Sequence, residues 1–171
     1  MHPNSKLGSS LIAIACAAAL VASAHAGEPD SGHTHAVNMR GDGAMGFSHM
    51  NTTHHFRLLP DGGSIEVTAN DRADTASRTA IRRHLTQIAA LFAAGDFSMP
   101  MMIHDRVPPG VPELQRLKGK VRYTYEPIEG GGRVLISTRN AGGLVAIHDF
   151  LRFQITDHKT GDPLDVITSS Q

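Results

Sequence analysis

The segment Ala146–Asp162, AIHDFLRFQITDHKTGD, decides the fold, because an earlier segment of the same length resembles it. Placed without gaps beneath Ala80–Asp96, AIRRHLTQIAALFAAGD, it repeats five residues at the same positions. The identical pairs are Ala80/Ala146, Ile81/Ile147, Leu85/Leu151, Gly95/Gly161 and Asp96/Asp162. Apolar residues recur at helical spacing in both segments, and a glycine ends each pattern. The sequence therefore predicts two long helices of related design.

Each predicted helix is preceded by two alternating segments with a glycine-rich turn between them. Phe56 and Leu58 alternate with polar residues ahead of the first turn, and Tyr123 and Tyr125 do the same ahead of Gly130–Gly132. A period of two is typical of a strand with one buried face, and such a pair joined by a short turn is a hairpin. The sequence thus predicts a ββα unit used twice, which is an internal duplication.

The simplest packing of two ββα units is an α+β fold. We expect one four-stranded antiparallel sheet with both long helices on one face. The units cover residues 52–96 and 119–162, and a loop over residues 97–112 that contains methionine and histidine joins them. The single domain spans residues 45–162, and residues 163–171 form a tail.

The N-terminus has the composition of a secretory signal peptide. Lys6 precedes the apolar run Leu11–Ala22, and small residues end at Ala26. This order predicts cleavage after Ala26 and export to the periplasm. A lipoprotein anchored at Cys16 is the weaker alternative, because the apolar core before it would be very short. Residues 27–44 are rich in glycine and polar groups, and we expect a flexible, histidine-containing leader.

Composition excludes several functional classes for the mature chain. The chain of 171 residues has 16 basic and 16 acidic residues, and only Lys6 leaves with the signal peptide. This near-neutral balance does not indicate the basic surface patch that nucleic-acid binding requires. The only cysteine, Cys16, also leaves, so no disulfide or thiolate ligand remains. No later segment is apolar and long enough to predict an integral membrane helix.

Imidazole and thioether are the soft or borderline donors that remain. Of 11 histidines and 7 methionines, His2, His25 and Met1 lie in the predicted signal peptide. Such donors suit copper, and thioether favours Cu(I). The predicted loop holds three methionines and His104, so the sequence predicts a periplasmic protein that binds copper, or another soft or borderline metal, and buffers it or passes it on. The candidate ligands are His54, Met101, His104 and His148, with Met99, Met102 and His84 in reserve.

Two other functional classes stay open on the sequence. The methionines of the loop can fill irregular gaps in packing, which suits a metal-free module that binds a periplasmic protein or a small apolar ligand. A small hydrolase or isomerase that uses a His–Asp pair is the third possibility, since His104 precedes Asp105 and His148 precedes Asp149. Catalytic, phosphate-binding and dinucleotide-binding signatures are absent from the sequence.

Several phrases resemble a group of small periplasmic proteins of Gram-negative bacteria. They are TTHHF at 52–56, AGDF at 94–97, IHD at 103–105, PPGVP at 108–112 and the segment 146–162. The resemblance spans roughly Met45 to Asp162. It implies a bacterial periplasmic protein linked to heavy-metal handling, and it transfers no catalytic residue.

Overall fold

The computed structural model describes residues 31–167, so the predicted signal peptide lies outside the described residues. The elements are helix α1 (Ser31–Met45), strands β1 (Thr52–Leu59) and β2 (Gly62–Ala69), helices α2 (Thr75–Ala93), α3 (Ser98–His104) and α4 (Val111–Arg116), strands β3 (Val121–Ile128) and β4 (Gly131–Thr138), and helix α5 (Ala141–His158). A single turn of 3₁₀ helix at His49–Asn51 precedes β1. None of the helices among the described residues combines the length and apolarity that crossing a bilayer requires.

The four strands form one antiparallel sheet in the order β1-β2-β4-β3. This confirms the predicted α+β class with a four-stranded antiparallel sheet. Each hairpin is followed in sequence by a long helix, α2 or α5, as expected. The duplication itself stays a prediction.

Two glycines show that α2 and α5 cover the same face of the sheet. A Cβ added at Gly63 would lie 2.2 Å from Leu151 of α5, and one at Gly132 would lie 3.2 Å from Leu85 of α2. Gly132 pairs with Val67, which lies on the same face of β2 as Gly63 because side chains alternate along a strand. The two glycines therefore let both helices approach one face closely.

The core lies between this face and the two long helices. Seven apolar residues at helical spacing on α2 and α5 are buried, as that spacing predicts; they are Ile81, Leu85, Ile88, Phe92, Ile147, Leu151 and Ile155. Phe97 and Phe150 complete the core at its centre, and both are fully buried. Asp74 and Asn140 cap the two helices by accepting from backbone N–H groups, which satisfies donors that the first turn leaves free.

The prediction of a flexible leader over residues 27–44 is wrong for the described part of it, since α1 occupies residues 31–45. Its apolar residues do not form one clear stripe, so periodicity gave no helical signal. Tertiary contacts hold it instead: Val37 is 1% exposed, and the Arg40 guanidinium donates to the Ile103 carbonyl at 2.7 Å. Such packing, rather than intrinsic propensity, provides most helical stability in proteins.

The predicted loop over residues 97–112 is also corrected, because most of it is helical. Helix α3 follows Phe97, whose ring is fully buried, and ends where Asp105 adopts a left-handed conformation. Helix α4 then begins at Val111, which is also fully buried. Each helix is too short to show periodicity, so anchoring by a buried side chain, which a single sequence does not reveal, decides its position.

The residues that follow α5 return along the edge strand β1. The Asp162 carboxylate accepts from the Phe56 N–H at 3.0 Å and lies 2.8 Å from Nδ1 of His55. Further on, the Ile167 N–H donates to the Leu58 carbonyl at 2.8 Å. The chain therefore covers the free edge of β1 without forming a fifth strand.

Candidate functional site

A cavity of about 80 Å³ lies between the sheet and helices α2 and α5, with α1 and α3 closing it. Most of its wall is aliphatic and aromatic. The polar or soft side chains that line it are His54, His84, His104, His158, Gln154, Met45 and Met99. A pocket with apolar walls and a few convergent polar groups is the usual form of a small-ligand site.

Four separate elements supply the four imidazoles. His54 lies on the inward face of β1, two residues before the buried Phe56. His84 lies on the buried stripe of α2, His104 ends α3, and His158 ends α5. The site therefore exists only in the folded chain.

Burial keeps these imidazoles neutral. It lowers the pKa of His54 and of His84 to about 4 and the pKa of His158 to about 3, and neighbouring imidazoles lower the pKa of His54 and His158 further. Burial also lowers the pKa of His104, although Asp157 opposes the shift. Each ring thus carries a lone pair at neutral pH, which is the form that binds a metal ion.

Three of the four imidazoles form no hydrogen bond within residues 31–167, namely His54, His84 and His158. Their contacts are with rings: His158 lies parallel to His54 with centroids 6.1 Å apart, and Phe47 packs edge-on against His84 at 5.7 Å. His84 is buried, whereas His54 and His158 are partly exposed. Three imidazoles that line one cavity without hydrogen-bond partners among the described residues leave their nitrogens free to bind a ligand.

His104 is held on both sides. Its Nδ1 donates to the Asp157 carboxylate at 2.6 Å, and its Nε2 lies 3.1 Å from the Gln154 amide oxygen. The amide nitrogen of Gln154 has no partner among the described residues. Turning this amide by half a turn lets its N–H donate to the lone pair of Nε2, which suits neutral His104.

Asp157 joins three elements around the cavity. Besides His104 of α3, it contacts Nε2 of His33 in α1 at 3.0 Å and receives a hydrogen bond from Arg106 at 2.6 Å. Burial alone would raise its pKa, but the hydrogen bonds from His104 and His33 outweigh burial and lower it. The carboxylate is therefore ionised and places one negative charge directly behind an imidazole of the site.

The predicted ligands fall into two groups in the structure. His54, His84, His104 and Met99 line the cavity. Met101 packs against the core without lining the cavity, and the Met102 side chain is 55% exposed.

His148 is a correction, because it lies at the other end of α5, beside the β1–β2 turn. Its Nε2 is 3.0 Å from the carbonyl oxygens of both Leu59 and Gly62 and donates to them. It therefore holds the turn, and it does not face the cavity.

Sequence reasoning missed His158 and Asp157, which come one after the other near the end of α5. A signal was present in the aligned segments, where His158 stands in the place of the buried Phe92. A histidine at the position of a core phenylalanine indicates a buried imidazole. The alignment could not show that this ring meets His54, because that contact depends on how the helices cross the sheet.

No group of three histidine, cysteine, aspartate or glutamate side chains among residues 31–167 is close enough to hold an ion as it stands. His54 and His158, whose ring nitrogens have no partners among the described residues, lie parallel with ring centroids 6.1 Å apart. Met45 and Met99 also line the cavity. The donor set is thus these two imidazoles with one or two thioethers.

Comparison with protein-family models, curated proteins and solved structures returned no match for this chain, so its residues and their geometry are the basis of the functional interpretation.

Proposed function

We propose that this protein is a periplasmic metal-binding protein that holds copper as Cu(I) in the histidine-lined cavity and buffers the ion or passes it on. The observation that carries the proposal is that three imidazoles without hydrogen-bond partners among the described residues line one cavity together with two thioethers. Neutral imidazole and thioether form the donor set that Cu(I) prefers among the common ions.

The charge of the site also favours a monovalent ion. The cavity wall contains no carboxylate, and the Asp157 carboxylate acts through His104. The cost of moving an ion from water into an apolar site rises steeply with its charge, so Cu(I) is easier to bury there than Cu(II) or Zn(II). Cu(I) is also stable with two or three ligands, and it needs no group of three imidazoles or carboxylates.

The periplasmic location rests on the predicted signal peptide and on the resemblance described above. Loss of Cys16 with that segment leaves no thiol in the mature chain. Imidazole and thioether donors then remain usable in an oxidising compartment, where a thiol pair would form a disulfide. The metal site and the location are therefore chemically consistent.

Anaerobic titration of the purified chain beginning at Gly27 tests the proposal, with a coloured Cu(I) chelator as competitor. We expect one Cu(I) per chain. Replacing His54 by Tyr together with His158 by Phe should weaken binding by more than the roughly 10- to 100-fold that follows loss of a residue behind a ligand. His148→Arg is the matched control, since this histidine lies outside the cavity. Equal affinity of the double variant and the control would reject the site.

Stability gives a second readout of the same binding. An ion that binds only the native state at a hundredfold excess over its dissociation constant should stabilise the fold by about 3 kcal/mol. Thermal unfolding with and without Cu(I) measures this gain. We expect the His54→Tyr/His158→Phe variant to lose it.

The apolar wall of the cavity supports a second candidate, a site for a small neutral molecule that accepts or donates one hydrogen bond. Phe56, Phe92 and Phe150 contribute much of this wall. Such a ligand would stabilise the metal-free protein, and Cu(I) would add nothing. A hydrolase has less support, because both ring nitrogens of His104 are engaged and Asp105, its neighbour in sequence, is exposed.

A further inference from the structure

A second cleft, of about 260 Å³, opens between α1 and β1 on the outer side of the cavity. The lining of the cleft and that of the cavity have four residues in common, Gly41, Met45, His54 and His158. These four residues therefore border both spaces. The cleft also reaches His49, which does not line the inner cavity.

His49 is oriented as a ligand although it lies near the surface. Its Nδ1 donates to the Asp42 carboxylate, with 3.0 Å to each oxygen, and its backbone N–H donates to the same group at 2.7 Å. The side chain is 29% exposed. A proton on Nδ1 leaves the lone pair on Nε2, and a carboxylate behind the ring is the usual arrangement for a metal-binding histidine.

We propose that the cleft between α1 and β1 is the entrance to the histidine cavity, and that His49 is the outer ligand that receives Cu(I) and passes it to His54 and His158. This inference rests on the proposed function. The path moves the ion from an imidazole that lines only the cleft to a pair that also lines the inner cavity, so it exchanges water for protein donors stepwise. The driving force is the greater number of soft donors inside.

Gly41 sets the width of the passage. It lies on the face of α1 that borders both spaces, and a Cβ added there would meet only the Met45 methyl, at 3.3 Å. A large side chain at this position would therefore extend into the passage. Gly43 lies on the same helix, and a Cβ there would meet nothing within 4 Å, so it is the matched control position.

The test measures the rate of Cu(I) transfer from a weak coloured chelator by stopped flow, and the equilibrium affinity separately. We expect His49→Ala and Gly41→Leu each to slow loading by about tenfold or more, a change within the range that association rates of related variants span. Final occupancy should stay at one ion per chain. Gly43→Leu should load at the wild-type rate, and Asp42→Asn should slow loading less than His49→Ala.

The outcomes distinguish a failure of the proposed entrance from a failure of the proposed copper site. Wild-type rates in both His49→Ala and Gly41→Leu, with Cu(I) bound at equilibrium, would overturn the entrance and leave the proposed function standing. The metal-free protein supplies an independent check: diethyl pyrocarbonate should modify His54 and His158 more slowly in Gly41→Leu than in Gly43→Leu. Slower modification without any Cu(I) binding would support the passage and reject the copper site, and equal modification would overturn the passage.

Discussion

The two ββα halves of the domain pack alike, and each long helix lies over the hairpin of the other half. Leu151 of α5 covers Gly63, while Leu85 of α2 covers Gly132. The correspondence extends to polar contacts at the turns. His148 donates to the Gly62 carbonyl at 3.0 Å, and the residue aligned with it in α2, Arg82, donates to the Gly131 carbonyl at 3.2 Å.

Two ring clusters, each built from both halves, fill the space beneath the helices and differ in composition. In one cluster, Phe92 packs edge-on against Tyr123 and Phe150, with centroids 5.7 and 5.9 Å away. The aligned positions form the histidine cluster, in the same order His158, His54 and His84. Helix α3 joins both clusters, because Phe97 at its start stacks on Phe92 and His104 at its end contacts His158.

This difference teaches that the fold does not require imidazoles at these positions. Phenylalanine and tyrosine fill the equivalent space in the other cluster, where the buried Tyr123 hydroxyl has no hydrogen-bond partner among the described residues. The histidine cluster instead places imidazoles around the cavity. The proposed copper site would account for imidazoles at these positions.

The largest expected effect tests whether the halves are equivalent at their turns. A Cβ at Gly62 would lie 1.9 Å from the Ile136 carbonyl oxygen, and one at Gly131 would lie 1.9 Å from that of Val67. We expect Gly62→Ala and Gly131→Ala each to destabilise the fold by about 4 kcal/mol or more in urea unfolding. Gly43→Ala should be neutral or slightly stabilising. A mild effect at only one of the two turns would contradict the equivalence.

The next effect concerns the buried carboxylate of Asp157, which lies beside the histidine cluster. The residue of α2 that aligns with it is Leu91, so the other cluster has no such charge. Asp157→Asn removes the charge that His104 and Arg106 contact, and breaking such a buried pair costs on the order of 3 kcal/mol. Chemical unfolding at pH 7 measures this loss. Asp165→Asn, on an exposed aspartate, is the control. Equal stability of the two variants would show that Asp157 does not hold the elements together.

A smaller effect is the pH dependence that the histidines impose. The folded-state pKa of His158, about 3, lies below the ordinary value of 6.5, so the unfolded chain binds more protons between these values. Stability should therefore be highest above pH 6.5 and fall as the pH is lowered, by about 1.4 kcal/mol per pH unit for each such histidine. His158→Phe should reduce this slope by about that amount. An unchanged slope would mean that His158 is protonated in the native state.

The smallest effect concerns the contact that both halves share. His148→Arg places in α5 the residue that α2 already uses at the equivalent turn, so we expect a change in unfolding free energy of less than about 1 kcal/mol. Affinity for Cu(I) should not change. A large loss of affinity for Cu(I) would show that His148 takes part in the copper site, and it would contradict the structural role of this residue.

The sequence was sufficient for the sheet, the two long helices and their buried stripes, because these depend on local periodicity. Residue type alone also selected His54, His84, His104 and Met99, which the structure places around the cavity. The bond between His104 and Asp157 and the approach of His158 to His54 depend on how helices cross the sheet, which local patterns do not encode. Helix α1 was missed for a related reason, since its stability comes from contacts with α3 and α5.

The segment that follows α5 and lies along the edge of β1 affects whether the molecules aggregate at high concentration. An uncovered edge strand offers free N–H and carbonyl groups to a second molecule, and such pairing begins aggregation. Asp162 occupies the Phe56 N–H and Ile167 occupies the Leu58 carbonyl, so this edge is protected. At the opposite edge, Pro127 in β3 has no N–H to offer. Both edges of the sheet are therefore protected against pairing with a strand of another molecule.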